Sequence, residues 1–85
     1  FLCLTMAKKI QKNKVDWYIV NKVREMRTDR GYTQVDLADH LSVSAAYIGQ
    51  VESPNTRAKY KTFHLNEIAK LFKCSPKDFW PARPL

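Results

Sequence analysis

Histidine and cysteine, the side chains that most often bind metals or act as nucleophiles, occur only four times in these 85 residues. Cys3 and Cys74 form no C-x-x-C pair, and no cluster of histidines accompanies them, so neither a zinc site nor a disulfide framework is indicated. The sequence also lacks a glycine-rich phosphate loop, an H-E-x-x-H motif and a G-x-S-x-G motif. We therefore expect no enzymatic activity, no metal and no cofactor, with His40 and His64 at the surface.

Positive charge is the more informative chemistry of this chain. The net charge is +7 and the pI is 9.7. Residues 1–30 carry eight basic and three acidic side chains, residues 31–56 carry three acidic and no basic ones, and residues 57–85 carry seven basic against two acidic ones. Two basic flanks around an acidic centre favour an anionic partner such as nucleic acid, although charge alone leaves open a merely solvated surface.

The acidic centre predicts two short helices that cross closely. Thr33 and Ser44 can cap them, and about three residues join them. The small Ala38 allows the close approach of the two helices. Apolar side chains can hold the crossing angle, namely Leu37, Val43, Ile48 and Val51. This spacing is typical of a helix-turn-helix.

The second of these helices, over about residues 44–52, has an outward face of small and polar side chains. At about 100° per residue, five of them fall within an arc of roughly 140° opposite Val51. These are Ala45, Ala46, Gly49, Gln50 and Ser53. No bulky side chain on this face would keep the backbone from the base edges in a major groove about 12 Å wide. The face therefore predicts double-stranded DNA as the partner.

Three further helices complete an all-α domain of five short helices with no strand. The first is expected to be capped by Asp16 and to stop at Gly31. The fourth opens at Thr62, after a polar and basic loop that runs from Ser53 to Lys61. The fifth is indicated by Ser75-Pro76-Lys77-Asp78, which combines an N-cap, a proline at the first helical position and an acid at the third.

Residues 1–14 are interpreted as a flexible basic arm, ahead of a helix-turn-helix domain over residues 15–85. The arm is rich in lysine and has no apolar periodicity. Its first six residues are apolar but too short for a signal sequence, and no run is long enough to span a membrane. Met6 is a candidate initiator, which would make residues 1–5 an upstream remnant; a dimer contact is the alternative. The absence of an indicated disulfide framework favours the cytoplasm.

From about Val15 to Trp80 the chain resembles the phage lambda repressor and Cro family of helix-turn-helix domains, also called the XRE family. Five segments carry the resemblance: Val23-Arg24-Glu25-Met26-Arg27, Thr33-Gln34 with Leu37-Ala38, Tyr47-Ile48-Gly49-Gln50-Val51-Glu52, Ile68-Ala69, and Cys74-Ser75-Pro76. The resemblance implies a compact five-helix domain in which helix three is the recognition helix and a two-fold dimer binds DNA. It also implies an ion pair between Arg27 and Glu52. A bacterial or phage protein that is associated with the nucleoid is a further implication.

The resemblance further implies roles for individual residues. Gln34, Ala45, Ala46 and Gln50 would face the bases. Thr33, Tyr47, Arg57, Lys59 and Lys61 would contact the phosphate backbone, and the charge distribution adds Lys8 and Lys9 of the arm. Because alanine has no side-chain donor or acceptor, Ala45 and Ala46 can only contact thymine methyls, which leaves Gln50 as the main polar reader. Ser42 stands where the family usually has a turn glycine, so a positive φ there would cost about 1 kcal/mol.

Two classes of function remain open from the sequence. In the first, a DNA-binding regulator represses from a palindromic operator or, like restriction-modification control proteins of this size, both activates and represses. In the second, an antitoxin-like module of the same fold chiefly binds a protein, with a toxin or RNA polymerase as candidate partners. Under the second interpretation Gln50 is an ordinary exposed glutamine, and Arg57, Lys59 and Lys61 belong to a solvated loop.

Overall fold

A computed structural model describes residues 12–85, which form four α-helices and one 3₁₀ helix without any strand. The α-helices are α1 (Lys14–Asp29), α2 (Gln34–Leu41), α3 (Ala45–Glu52) and α4 (Thr62–Phe72), and the 3₁₀ helix covers Pro76–Phe79. The all-α prediction is confirmed, but the fifth helix is a single 3₁₀ segment, so the described chain has four α-helices. Most of the predicted basic arm, with Lys8 and Lys9, lies outside the described residues.

The first helix begins earlier than the sequence pattern indicated. Asn13 is its N-cap, and the Asn13 Oδ1 accepts a hydrogen bond of 2.8 Å from the Asp16 backbone N–H. The prediction that Asp16 is the cap was therefore wrong. Asp16 lies within the first turn, where a carboxylate is stabilised by the helix dipole. Lys14, which the sequence assigned to the arm, is already helical, whereas Gly31 follows the helix with φ +77° as expected.

The helix-turn-helix is built from local capping contacts that the sequence predicted. The Thr33 Oγ1 accepts from the Asp36 N–H at 3.0 Å, and the Asp36 carboxylate accepts from the Thr33 N–H at 2.9 Å. Ser44 caps α3 by accepting from the Tyr47 N–H at 3.1 Å. Ser42 has φ 59° and ψ 41°, so this turn is left-handed without a glycine, as expected.

The core lies between the helices and holds α3 by its inner side. Leu37 of α2 and Ile48 and Val51 of α3 are completely buried. The small Ala38 is also buried, which allows α2 and α3 to approach closely. On the far side of the core, the Phe79 side chain is completely buried, so the 3₁₀ helix closes the domain. With its apolar side chains turned inward, α3 presents its opposite side to solvent.

A buried ion pair joins α1 to α3. The Arg27 Nε lies 3.0 Å from Glu52 Oε2, and the Arg27 Nη2 lies 3.0 Å from Glu52 Oε1. The third guanidinium nitrogen donates to the Tyr32 backbone carbonyl at 2.9 Å. The two side chains are only 9% and 5% exposed. The predicted pair is thus confirmed as a two-pronged contact of the kind that gives geometric specificity as well as energy.

His64 is buried, so its prediction as a surface residue was wrong, whereas His40 is exposed. The His64 ring folds back over the start of α4, where the His64 Nδ1 accepts a hydrogen bond of 3.3 Å from the Lys61 backbone N–H. The edge of the ring also packs against Tyr47 of α3, with ring centroids 5.9 Å apart. Burial lowers the pKa of His64, and the Lys61 ammonium lowers it further.

Removing one partner of the Arg27–Glu52 pair should destabilise the domain strongly. We expect Glu52→Ala to lower the free energy of unfolding by about 3 to 5 kcal/mol, because it leaves the guanidinium buried without its counter-ion. Urea unfolding followed by circular dichroism measures the loss. The matched control is Glu25→Ala, which removes an exposed pair with Lys22 and should change stability by less than about 1 kcal/mol. Equal midpoints for wild type and Glu52→Ala would contradict the structural importance of the pair.

Stability should also fall at mildly acidic pH because of His64. Its pKa is lowered in the folded chain, so the unfolded chain takes up the proton first. The stabilisation is full above the unfolded pKa of about 6.5 and declines as pH falls through that value towards the folded pKa. We expect His64→Gln to flatten this decline, measured by urea unfolding between about pH 7.5 and pH 5. His40→Gln is the control, and it should leave the decline in place.

Candidate nucleic-acid interface

The exposed side of α3 carries the small and polar residues that the sequence predicted there. Ala46 and Gln50 are exposed, while Ala45 and Gly49, which are neighbours on the helix surface, are half-buried. We call these four residues the α3 outer face. Ala45 also packs partly against the core, so its methyl group is shared between the interior and the surface.

Gly49 has no side chain to cover the α3 backbone. It lies between Ala45 and Ala46 on the outer face. A Cβ built at this position would meet only the Gln34 Oε1, at an ordinary contact distance of 3.8 Å. The fold would therefore accept an alanine, and a glycine inside a helix costs about 1 kcal/mol relative to alanine. Packing within the domain does not account for this glycine.

Gln34 is tied to the buried ion pair. It is the first residue of α2, and its Nε2 donates to Glu52 Oε1 at 2.9 Å. The same oxygen accepts from Arg27, so one carboxylate links α1, α2 and α3. Sequence reasoning missed this bond, because no local pattern connects residues that are 18 positions apart. The amide of Gln34 is held beside Gly49, at the edge of the outer face.

Tyr47 connects α3 to the loop that follows it. Its hydroxyl donates to the Lys59 backbone carbonyl at 2.7 Å. Burial raises the pKa of Tyr47, which keeps the hydroxyl protonated as a donor. Thr33 is exposed, and its hydroxyl oxygen serves the cap of α2. Both side chains therefore have roles within the fold, and their contact with phosphate stays a prediction.

The loop after α3 carries exposed basic side chains beside the end of that helix. Arg57, Lys59 and Lys61 are all exposed, in agreement with the predicted basic loop. Lys59 lies 3.3 Å from the Asp16 carboxylate, in a partly exposed ion pair. Arg57 and Lys59 line one cleft together with Lys12, Asn13 and Asp16. The loop and the start of α1 thus form one basic surface next to α3, which we call the basic edge. Its basic side chains are Lys12, Arg57, Lys59 and Lys61.

Lys12 belongs to this edge through contacts that the sequence did not indicate. Its ammonium donates to the Ser53 carbonyl, to the Thr56 carbonyl at 3.0 Å and to the Thr56 hydroxyl at 3.2 Å. It also lies 5.6 Å from the centre of the Trp17 ring. Burial lowers the pKa of Lys12, and the Asp16 carboxylate partly offsets this. The lysine-rich composition had suggested a flexible arm at this position.

A metal centre and a membrane span are not indicated within residues 12–85. These residues contain no group of three or more His, Cys, Asp or Glu side chains that could hold a metal ion. None of their helices is long and apolar enough to cross a membrane.

Comparison with known proteins agrees with this geometry. A family model described as helix-turn-helix matches residues 23–79, which is more than half of the chain. The restriction-modification controller protein C.AhdI from Aeromonas hydrophila is similar in structure, with a TM-score of 0.63 and 24% identity over 74% of this chain and 92% of that chain. The N-terminal DNA binding domain of SinR from Bacillus subtilis also has a TM-score of 0.63, with 17% identity over 80% of this chain and 99% of that chain.

No curated protein matches the sequence significantly. The two structural similarities show a shared fold, and the family model adds a match in sequence that runs from α1 to the 3₁₀ helix. The chain therefore belongs to the XRE-type helix-turn-helix family.

Proposed function

We propose that this protein is a small transcriptional regulator that binds double-stranded DNA with α3 in the major groove. One observation carries the proposal: α3 buries its apolar side chains and exposes a face without any bulky group. Ile48 and Val51 are completely buried, whereas Ala46 and Gln50 are exposed. An α-helix with its side chains is about 10 to 12 Å across, which matches a major groove about 12 Å wide.

Gly49 supports the same function. The domain would tolerate a side chain there and would gain helix stability from it, yet the position is bare. A surface that must come close to base edges explains the preference for glycine. The half-buried Ala45 and the exposed Ala46 likewise add little height to the face.

The chemistry of the outer face assigns roles in base recognition. The Gln50 amide can pair with adenine through two hydrogen bonds, because its oxygen accepts from N6–H and its N–H donates to N7. Ala45 and Ala46 can contact thymine methyl groups. Gln34 keeps one amide hydrogen and its oxygen beyond the bond to Glu52, so it can reach a phosphate or a base at the edge of the face.

Phosphate contacts would come from the basic edge. The loop after α3 contributes three exposed basic side chains, Arg57, Lys59 and Lys61. The arm would add Lys8 and Lys9. Thr33 and Tyr47, at or near the starts of α2 and α3, lie where backbone contacts would flank the inserted helix. Such contacts position the protein on the duplex, whereas the outer face distinguishes sequences.

We further propose that the protein acts as a homodimer on a palindromic operator, most simply as a repressor. The eight residues of α3 rise only about 12 Å, so one domain can read only a few base pairs. Two copies related by a two-fold axis would place two reading faces about 34 Å apart on one side of the duplex. The similar structures are those of a restriction-modification controller protein and of a DNA binding domain, which is in line with this class of function.

Loss of the Gln50 amide should reduce sequence preference. We expect Gln50→Ala to weaken binding to a selected operator by about tenfold or more, because a good bidentate base contact discriminates by roughly 1 to 3 kcal/mol. Binding to random duplex DNA should change little. Selection from random duplexes followed by fluorescence anisotropy gives both affinities. Equal losses on operator and random DNA would mean that Gln50 only contacts phosphate, and a wild type without any sequence preference would favour a protein-interaction module.

Salt dependence should report on the basic edge. Counterion release gives a slope of about −0.9 in log affinity against log salt for each phosphate contact. Changing Arg57, Lys59 and Lys61 together to glutamine should flatten the slope by about 2 to 3 units. Lys70, Lys73 and Lys77 are exposed near the other end of α4, so their triple change to glutamine is the charge-matched control. If the two triple variants flatten the slope equally, the loop has no specific part in the DNA interface.

A further inference from the structure

The recognition helix lacks a local means of satisfying its C-terminal end. No basic residue lies in its last turn, and the C-cap Ser53 is extended, with φ −84° and ψ 136°, instead of left-handed. The Ser53 N–H donates to the Gln50 carbonyl at 3.2 Å. The remaining carbonyls at the end of a helix need partners from elsewhere in the structure.

Lys12 and Thr56 make contacts at this end of α3, and one of them reaches a helix carbonyl, that of Gln50. The Lys12 ammonium uses its three hydrogens on the Ser53 carbonyl, the Thr56 carbonyl and the Thr56 hydroxyl oxygen. The Thr56 hydroxyl in turn donates to the carbonyl of Gln50. A positive charge at this place is also favourable towards the negative end of the α3 dipole.

The direction of these hydrogen bonds is fixed by chemistry. An ammonium group can only donate, so the Thr56 oxygen accepts from Lys12 and its hydrogen is left for Gln50. A hydroxyl that accepts from a cation is polarised and becomes a stronger donor. The hydrogen bonds therefore run in one direction, from the Lys12 ammonium through the Thr56 hydroxyl to the backbone carbonyl of Gln50.

We propose that Lys12 is a positioning residue for DNA recognition, which rests on the proposed function of α3. Through Thr56, Lys12 fixes the last turn of α3 and hence the direction of the Gln50 side chain. Through the Ser53 and Thr56 carbonyls, it also holds the start of the loop that carries Arg57 to the same edge. Lys12 thus affects sequence discrimination without itself contacting a base.

Three variants separate positioning from simple charge. Lys12→Met keeps an unbranched stem beside Trp17 and removes all three donors. Lys14→Met, at an exposed position two residues away, makes the same change of charge and is the control. Thr56→Val interrupts the chain of contacts with no change of charge. Affinities for a selected operator and for random duplex DNA are measured at one salt concentration, after urea unfolding has shown that each variant is folded.

We expect Lys12→Met to lose about tenfold in operator affinity, while its loss on random DNA matches that of Lys14→Met. Thr56→Val should reproduce the operator-specific loss, and the double variant should lose little more than either single one, because both act on the same contacts. In the absence of DNA, hydrogen exchange at the Ser53 N–H should accelerate in both single variants, since this group lies in the turn that they hold.

The outcomes distinguish failure of this inference from failure of the proposed function. Equal losses for Lys12→Met and Lys14→Met on both kinds of DNA would reduce Lys12 to an electrostatic contact and overturn the proposal. If Lys12→Met does not fold, Thr56→Val decides alone, and unchanged discrimination in that variant overturns the proposal. A wild type without sequence preference would overturn the proposed function of α3, and the positioning role with it, even where hydrogen exchange is as expected.

Discussion

The arrangement of the helix-turn-helix depends on one buried carboxylate. Glu52 accepts two hydrogen bonds from Arg27 of α1 and one from Gln34 of α2, while it lies at the end of α3. A carboxylate this far from water is tolerated only when its charge is paired and its oxygens are hydrogen-bonded. Because Glu52 and its two partners lie on three different helices, satisfying the charge also fixes the position of α3 against α1 and the position of the Gln34 amide.

A helix that keeps one face small for a ligand has to be stabilised by its other contacts. Eight residues are too few for an isolated helix to be stable in water. The inner side of α3 supplies Ile48 and Val51 to the core, its start is capped by Ser44, and the Tyr47 hydroxyl holds the following loop. Of the outer face, Ala45 packs partly against the core, whereas Ala46 and Gln50 are exposed and can serve the proposed contact with DNA.

Local contacts of this fold could be predicted from the sequence, and most long-range ones could not. The caps at Thr33 and Ser44 are decided by side chains within three residues of the groups they bind, so spacing is enough to find them. Asn13 is the first cap instead of Asp16, and because both are good capping residues, residue type alone could not decide between them. The burial of His64 and the contacts of Lys12 join distant segments, for which charge and periodicity carry no signal.

Two of the three acidic charges of the central segment are engaged within the fold, which reduces the apparent conflict with an anionic partner. Glu52 is neutralised by Arg27, and the Asp36 carboxylate accepts from the Thr33 N–H at the positive end of α2. The basic flanks return to α3 and to the loop after it, because Lys12 donates to the Thr56 carbonyl and the Lys59 carbonyl accepts from Tyr47. Since electrostatic attraction depends on which charges remain exposed and where they lie, a segment with net negative charge can still present α3 to phosphates from a basic edge.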